Sequence, residues 1–169
     1  DGVINVRTAY PVDTPYTKVS IYTGLYGPPS KTPAMKWWGS NTPLGGGINF
    51  AHRQKFGQND LVLGGAYDGS SGYLDSSDSH AMRINAKWRY RVKKVVGLSF
   101  GVNASMYYSW GKTFFFWNGL DSLGYKPFPN TITQYKSYRA TIDPFVDYYD
   151  LKENHFKFSV RFFNATTTN

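Results

Sequence analysis

Three tracts of this 169-residue sequence have residue types that can bind something. The first is Phe114-Phe115-Phe116-Trp117, followed by Tyr125 and Phe128, and Trp37-Trp38 is a smaller version between Lys36 and Gly39. Flat rings stack on sugars or other flat apolar ligands, so either tract can be a ligand platform. Either can equally pack on neighbouring loops or on a partner protein, because an exposed apolar run is unfavourable unless covered. The second tract is a series of cations, Arg83, Lys87, Arg89, Arg91, Arg139 and Arg161, with Asp143 and Asp147 among them. Such a row can attract an anionic ligand, grip carboxylates of another segment, or simply make one face polar. The third is Asp75 and Asp78, in the Ser/Asp-rich stretch 68–80. Their oxygens are of the kind that Ca²⁺ takes, but EF-hand spacing is missing and a solvated loop is the plainer reading.

Other chemistry is poorly supplied. There is no Cys, and His52, His80 and His155 are far apart, so neither a disulfide framework nor a metal centre is expected. No Gly-x-Ser-x-Gly or P-loop occurs, and Gly45-Gly46-Gly47 precedes a strand instead of a helix. We therefore expect no enzyme, no catalytic residue and no cofactor. The 19 Lys+Arg and 11 Asp+Glu leave a net charge of +8, which with 18% aromatics raises nucleic-acid binding. The distribution argues against it: the cations alternate with apolar residues, and no basic cluster accompanies the aromatic tract. No apolar run approaches the ~18 residues of a membrane-spanning helix, and so many aromatics are foreign to disordered chains.

The elements that must position these residues are strands. Leu98, Phe100, Val102, Ala104, Met106, Tyr108 and Trp110 alternate with Gly97, Ser99, Gly101, Asn103, Ser105, Tyr107 and Ser109. Successive side chains of a strand point to opposite faces, so 97–110 has one apolar face and one small, polar face. In 81–92, Met82, Ile84, Ala86, Trp88, Tyr90 and Val92 oppose the cations from Arg83 to Arg91. The stretches 14–25, 45–56, 60–68, 138–149 and 155–164 follow the same rule, giving seven strands. Pro144 cannot donate to a ladder, so a bulge or irregular pair is expected there.

Short connections (57–59, 93–96, 151–154) alternate with long ones (26–44, 68–80, 111–137). That alternation, strands of about ten residues, and aromatic rings at the ends of the apolar face all fit a transmembrane β-barrel with short turns on one side and long loops on the other. A soluble β-sandwich also alternates apolar and polar residues. Seven strands do not close a bacterial barrel, so either a strand is missing from this count or the chain is an antiparallel, up-and-down arc of a larger barrel, and the arc is the expectation. The start at Asp1 without Met, and the polar end Ala165-Thr166-Thr167-Thr168-Asn169, are what a processed or partial chain would show.

Gly2-Val3-Ile4-Asn5-Val6-Arg7-Thr8 resembles the last plug strand of TonB-dependent outer-membrane receptors, and Asn154 to Phe163 resembles barrel strands of their SusC-like members. The resemblance implies that residues 1–13 are the end of a plug with its link and that 14–169 are the first barrel strands. It further implies energy-coupled uptake of a glycan, peptide or siderophore through the outer membrane of a Gram-negative bacterium. The partners would be outer-membrane lipid, the TonB energy-coupling protein and a surface lipoprotein. The cations above, with Asp143 and Asp147, would then face the lumen, and the aromatic tracts would lie in extracellular loops. Pro11 and Pro15 make the link stiff and extended, so Gly2 to Thr8 should not form a hairpin with the first barrel strand. Val3, Ile4 and Val6 should look under-packed, and Leu98, Phe100 and Val102 exposed. The competing reading is a self-contained small β-barrel or sandwich that binds glycans or acts as an adhesive module.

Overall fold

The computed structural model describes residues 10–11, 14–33, 36–119, 125–152 and 154–169. The expectations for Gly2 to Thr8, and for the packing of Val3, Ile4 and Val6, fall outside these residues. Eight strands and no helix are found among them: β1 Tyr16–Leu25, β2 Leu44–Phe56, β3 Asn59–Ser70, β4 Ser79–Arg91, β5 Leu98–Phe114, β6 Ile132–Tyr149, β7 His155–Ser159 and β8 Phe162–Thr168. All belong to one antiparallel sheet in the order β1-β2-β3-β4-β5-β6-β7, with β8 also on β6. The sheet is up-and-down and is not closed into a barrel.

β7 and β8 occupy one position in the sheet. Phe145 faces Ser159 and Ile142 faces Phe162, so two residues separate the pairs on each strand and no extra residue is inserted. Of the bulge or irregular pair expected at Pro144, the irregular pair is what occurs. It takes the form of a gap in the partner strand. Pro144 accepts from the Val160 N–H at 3.1 Å but has no N–H to return. In an antiparallel strand a residue's N–H and C=O point to the same side, so the missing donor belongs to the last strand, and the β5–β6 ladder stays continuous through Val102 opposite Pro144. β5 and β6 are also longer than their periodicity suggested. Residues 111–114 and 132–137 were expected in a loop and are paired, Gly111 with Tyr135 and Phe114 with Ile132.

Register places every anticipated apolar residue on one face. Across β4 and β5, Met82, Ile84, Ala86, Trp88 and Tyr90 meet Tyr108, Met106, Ala104, Val102 and Phe100. Among the described residues no second layer covers this face: Ile21 is 77% exposed, Phe100 41% and Phe158 69%, while Leu98 and Val102 are half-buried. Two rows of rings border the apolar region. Tyr67, His80, Trp110 and Tyr108 are in mutual ring contact toward the long loops. Trp88, Tyr90 and Phe100, then Tyr148 and Phe156, do the same toward the short turns.

The apolar region runs obliquely to the ladder. The row of paired residues through Phe162 is Ile142, Ala104, Ala86, Leu63, His52 and Thr17. Phe162 is the last apolar residue on its face before Asn164, whereas on β1 the apolar residues Val19, Ile21 and Leu25, with Thr23 among them, extend well past Thr17. That offset is about 27 Å along the strands over about 29 Å across them, so the strands cross the band at roughly 40°.

Glycines on the polar face sit beneath rings from the next strand. Gly101 lies under Phe145, which is only 4% exposed. Gly47 lies under Tyr22 and Gly111 under Tyr135. Aromatic cover of this kind compensates for the packing that a strand glycine lacks. At the β2–β3 turn Gly57 has φ +59° while Gln58 does not have positive φ, the conformation of a type II′ hairpin, where only glycine fits the first position. In the β6–β7 turn Asp150 accepts the N–H groups of Lys152 (2.8 Å) and Asn154 (2.9 Å) and the Asn154 amide at 2.7 Å.

Two outcomes follow. Gly101→Ala brings a methyl group against the Trp88 carbonyl and 2.8 Å from Phe145 Cζ, and should cost about 1–3 kcal/mol in urea unfolding. Gly27→Ala, which meets nothing within 4 Å, should cost little by the same measurement. The donors around Asp150, the Asn154 amide foremost, hold its carboxyl below the usual range. This depressed group stabilises the turn above its unfolded pKa of about 3.9, and the stabilisation is lost as pH falls through the lower folded value. Amide exchange at Lys152 and Asn154 should therefore accelerate, relative to other turns, only in strong acid.

Candidate functional site

Near the short turns the polar face holds an ion cluster. Register sets Asp60 opposite Lys55 on β2 and Arg89 on β4. Arg89 Nε donates to Asp60 Oδ2 at 2.7 Å and Arg91 at 3.0 Å, with Asp60 only 1% exposed. Tyr10 lies across this cluster, its ring centroid 3.3 Å from the Arg89 guanidinium carbon and 3.7 Å from the Lys87 amine. Burial pushes the Tyr10 phenol above its ordinary pKa, against the pull of Arg89. The chain ahead of β1 thus passes over the polar face at Tyr10 and the buried Pro11. Farther along, Arg161 grips Asp143 with two bonds of 2.9 and 2.7 Å, and His155 meets Asp147 at 3.0 Å. All eight anticipated polar residues, Arg83, Lys87, Arg89, Arg91, Arg139, Asp143, Asp147 and Arg161, fall on this face or point from it.

Toward the long loops the same face opens into a hollow of about 560 Å³ lined by Tyr22, Tyr26, Asp68, Tyr107, Ser109 and Tyr135, with Gly45 leaving room. The Tyr22 hydroxyl donates to Asp68, and the Tyr26 and Ser70 hydroxyls are 2.8 Å apart. Phenols around one carboxylate suit a ligand with several donors and acceptors. They lack the base–nucleophile pair that covalent catalysis needs. Among the described residues no group of three His, Cys, Asp or Glu could hold a metal ion.

The aromatic tracts divide. Trp37 meets Trp38, Trp38 meets Tyr73, and Tyr73 meets Tyr26 and Tyr125, at centroid distances of 5.1–5.9 Å. The Trp37 indole also donates to the Tyr73 carbonyl at 2.7 Å. Trp38 is 5% exposed, so this cluster fastens three long loops together. Phe114 ends β5. Phe115 (86% exposed), Phe116, Trp117 and Phe128 are open to solvent on a small hairpin closed by Trp117 opposite Pro127.

Asp60, Tyr10 and the tyrosine hollow were not anticipated. Their signal was present in part. Tyr22 and Tyr107 already sat at polar-face positions, and Asp68 was placed at the boundary shared by the expected strand 60–68 and the loop 68–80. Asp60→Ala removes the carboxylate that Arg89 and Arg91 share, and should cost about 3 kcal/mol in urea unfolding. Arg91→Gln, which leaves the Arg89 contact in place, should cost less. Comparison with protein-family models, with curated proteins and with solved structures found no match to this chain.

Proposed function

We propose that this chain is part of the wall of an outer-membrane β-barrel, in a TonB-dependent receptor of the plug-and-barrel kind, serving energy-coupled uptake of an extracellular ligand. The observation that carries this reading is the uncovered apolar band bordered by two aromatic rows and crossed obliquely by the strands. From Phe100 to Trp110 is about 33 Å along β5. At the roughly 40° crossing angle this projects to about 25 Å, the height of the apolar belt of outer-membrane barrels. Rings at both borders suit the two lipid–water interfaces. Long loops at one end and tight turns at the other suit the outer and inner rims of such a barrel.

The membrane partner is lipid, and the lumen side is the polar face. Tyr10 and Pro11 lying over that face support a link that leaves the interior, as the end of a plug would. The chain itself would carry no catalytic step. Its part is to hold the wall, the loop cluster and the tyrosine hollow, with TonB acting on the plug and a surface lipoprotein covering the exposed Phe115, Phe116, Trp117 and Phe128. A sandwich-type glycan-binding module would need a second layer over Phe100, Val102 and Ile142.

In the full gene product expressed in a Gram-negative host, the protein should float with outer membrane and require detergent for extraction. Ala104→Arg, midway between the aromatic rows on the apolar face, should cost about 2–4 kcal/mol of insertion. Ser105→Arg, one residue on and facing the other way, should be tolerated. A buffer-soluble protein, or equal effects of the two arginines, would contradict the proposal.

A further inference from the structure

Several polar-face cations are neutralised by carboxylates: Arg89 and Arg91 share Asp60, and Arg161 holds Asp143. Arg83 and Arg139 differ. Neither forms an ion pair among the described residues, and both are exposed. Register brings them together, because Tyr107 on β5 is paired with Arg83 on β4 and with Arg139 on β6. The two arginines therefore flank Tyr107 from strands about 10 Å apart. The Arg83 guanidinium carbon is 5.5 Å from the Tyr107 centroid. Their outer neighbours in the row are small, Ala66 beside Arg83 and Ala165 beside Arg139. A hollow of about 240 Å³ opens between them, with Asn85 and Ser105 in its wall.

We propose that Arg83, Tyr107 and Arg139 form a binding site for the anionic group of a small solute, a carboxylate or a tetrahedral oxyanion such as phosphate or sulfate. Guanidinium groups are always charged and present planar, forked donors that match both kinds of anion. The Tyr107 hydroxyl supplies a further donor between them, and Asn85 and Ser105 can donate from below. The larger tyrosine hollow adjoins the site through Tyr107, which lines both, so a ligand anchored by its anion at the arginines can lay a polar body against Tyr22, Asp68 and Tyr135. The site stands on the geometry of the polar face and does not depend on the membrane reading.

The test is titration of the folded full chain in detergent with citrate and, separately, with inorganic phosphate. Ionic strength is held constant and glucose serves as a neutral control, while the Arg Nε–H resonances are followed by NMR. Saturable shifts at Arg83 and Arg139 are expected with at least one of the two anions, and none with glucose. Which anion binds distinguishes planar from tetrahedral recognition. Arg83→Gln and Arg139→Gln should each weaken binding about tenfold, Arg83→Lys should recover part of the loss, and Tyr107→Phe should weaken it severalfold. Lys18→Gln, on the same face at β1, should leave binding unchanged. Each variant is first shown to keep the wild-type strand signal in circular dichroism. Non-saturable shifts with both anions, or an equal loss in Lys18→Gln, would overturn the proposal. So would unchanged affinity in a folded Arg83→Gln/Arg139→Gln double variant, which would leave only the general field of a cationic face.

Discussion

The described residues hang on a backbone ladder that is one layer thick. With no second sheet or helix to pack on among the described residues, a strand side chain's surroundings are decided by parity: even-numbered residues of β5 join the apolar band and odd-numbered ones the polar face. A shift of one residue would exchange Phe100 for Gly101 and place Arg83 among the rings. The register is therefore held at many points, by the II′ turn at Gly57, by Asp60 bound to Arg89, and by rings that fit only over the glycines opposite them. Such redundancy suits a sheet whose stability comes from pairwise contacts along the strands and not from a shared core. Trp38 and Phe145 are the hydrophobic side chains that are buried among the described residues, and neither belongs to the apolar band.

Most of this was legible from composition by position. Alternation in 81–92 and 97–110 identified both strands and both faces, because a period of two survives without knowledge of any neighbour. The ends of strands were less legible. In 111–114 and 132–137 the polar side chains of Lys112, Gln134 and Lys136 lie on the face that is apolar lower down. The periodicity stops there although the pairing goes on. Past the ring of Trp110 the face no longer has to be apolar, so hydrophobic pattern and hydrogen bonding part company.

The candidate site was legible in its charges and not in its pairings. The cations were visible as a row, but which of them would be neutralised depended on long-range register. Asp60 lies 29 residues before Arg89, and no local signal joins them. Likewise the aromatic tracts looked alike in sequence, yet Trp37 and Trp38 fasten loops while Phe115 and Phe116 face solvent. Tyr73, from the second loop, decides the difference by offering a ring and a carbonyl to the first pair.

Pro144 gives the last strand an unequal grip on its neighbour. With the returning hydrogen bond missing at Val160, the edge beyond β6 is held as two short zippers, five residues on the turn side and seven on the loop side. Each zipper closes over only a few bonds, and the failure of one does not propagate through the proline to the other. The stretch from Phe162 to Thr168 can thus peel from β6 while His155 to Ser159 stays docked. That edge can accept or release a neighbouring strand in halves, with β5 and β6 undisturbed behind it.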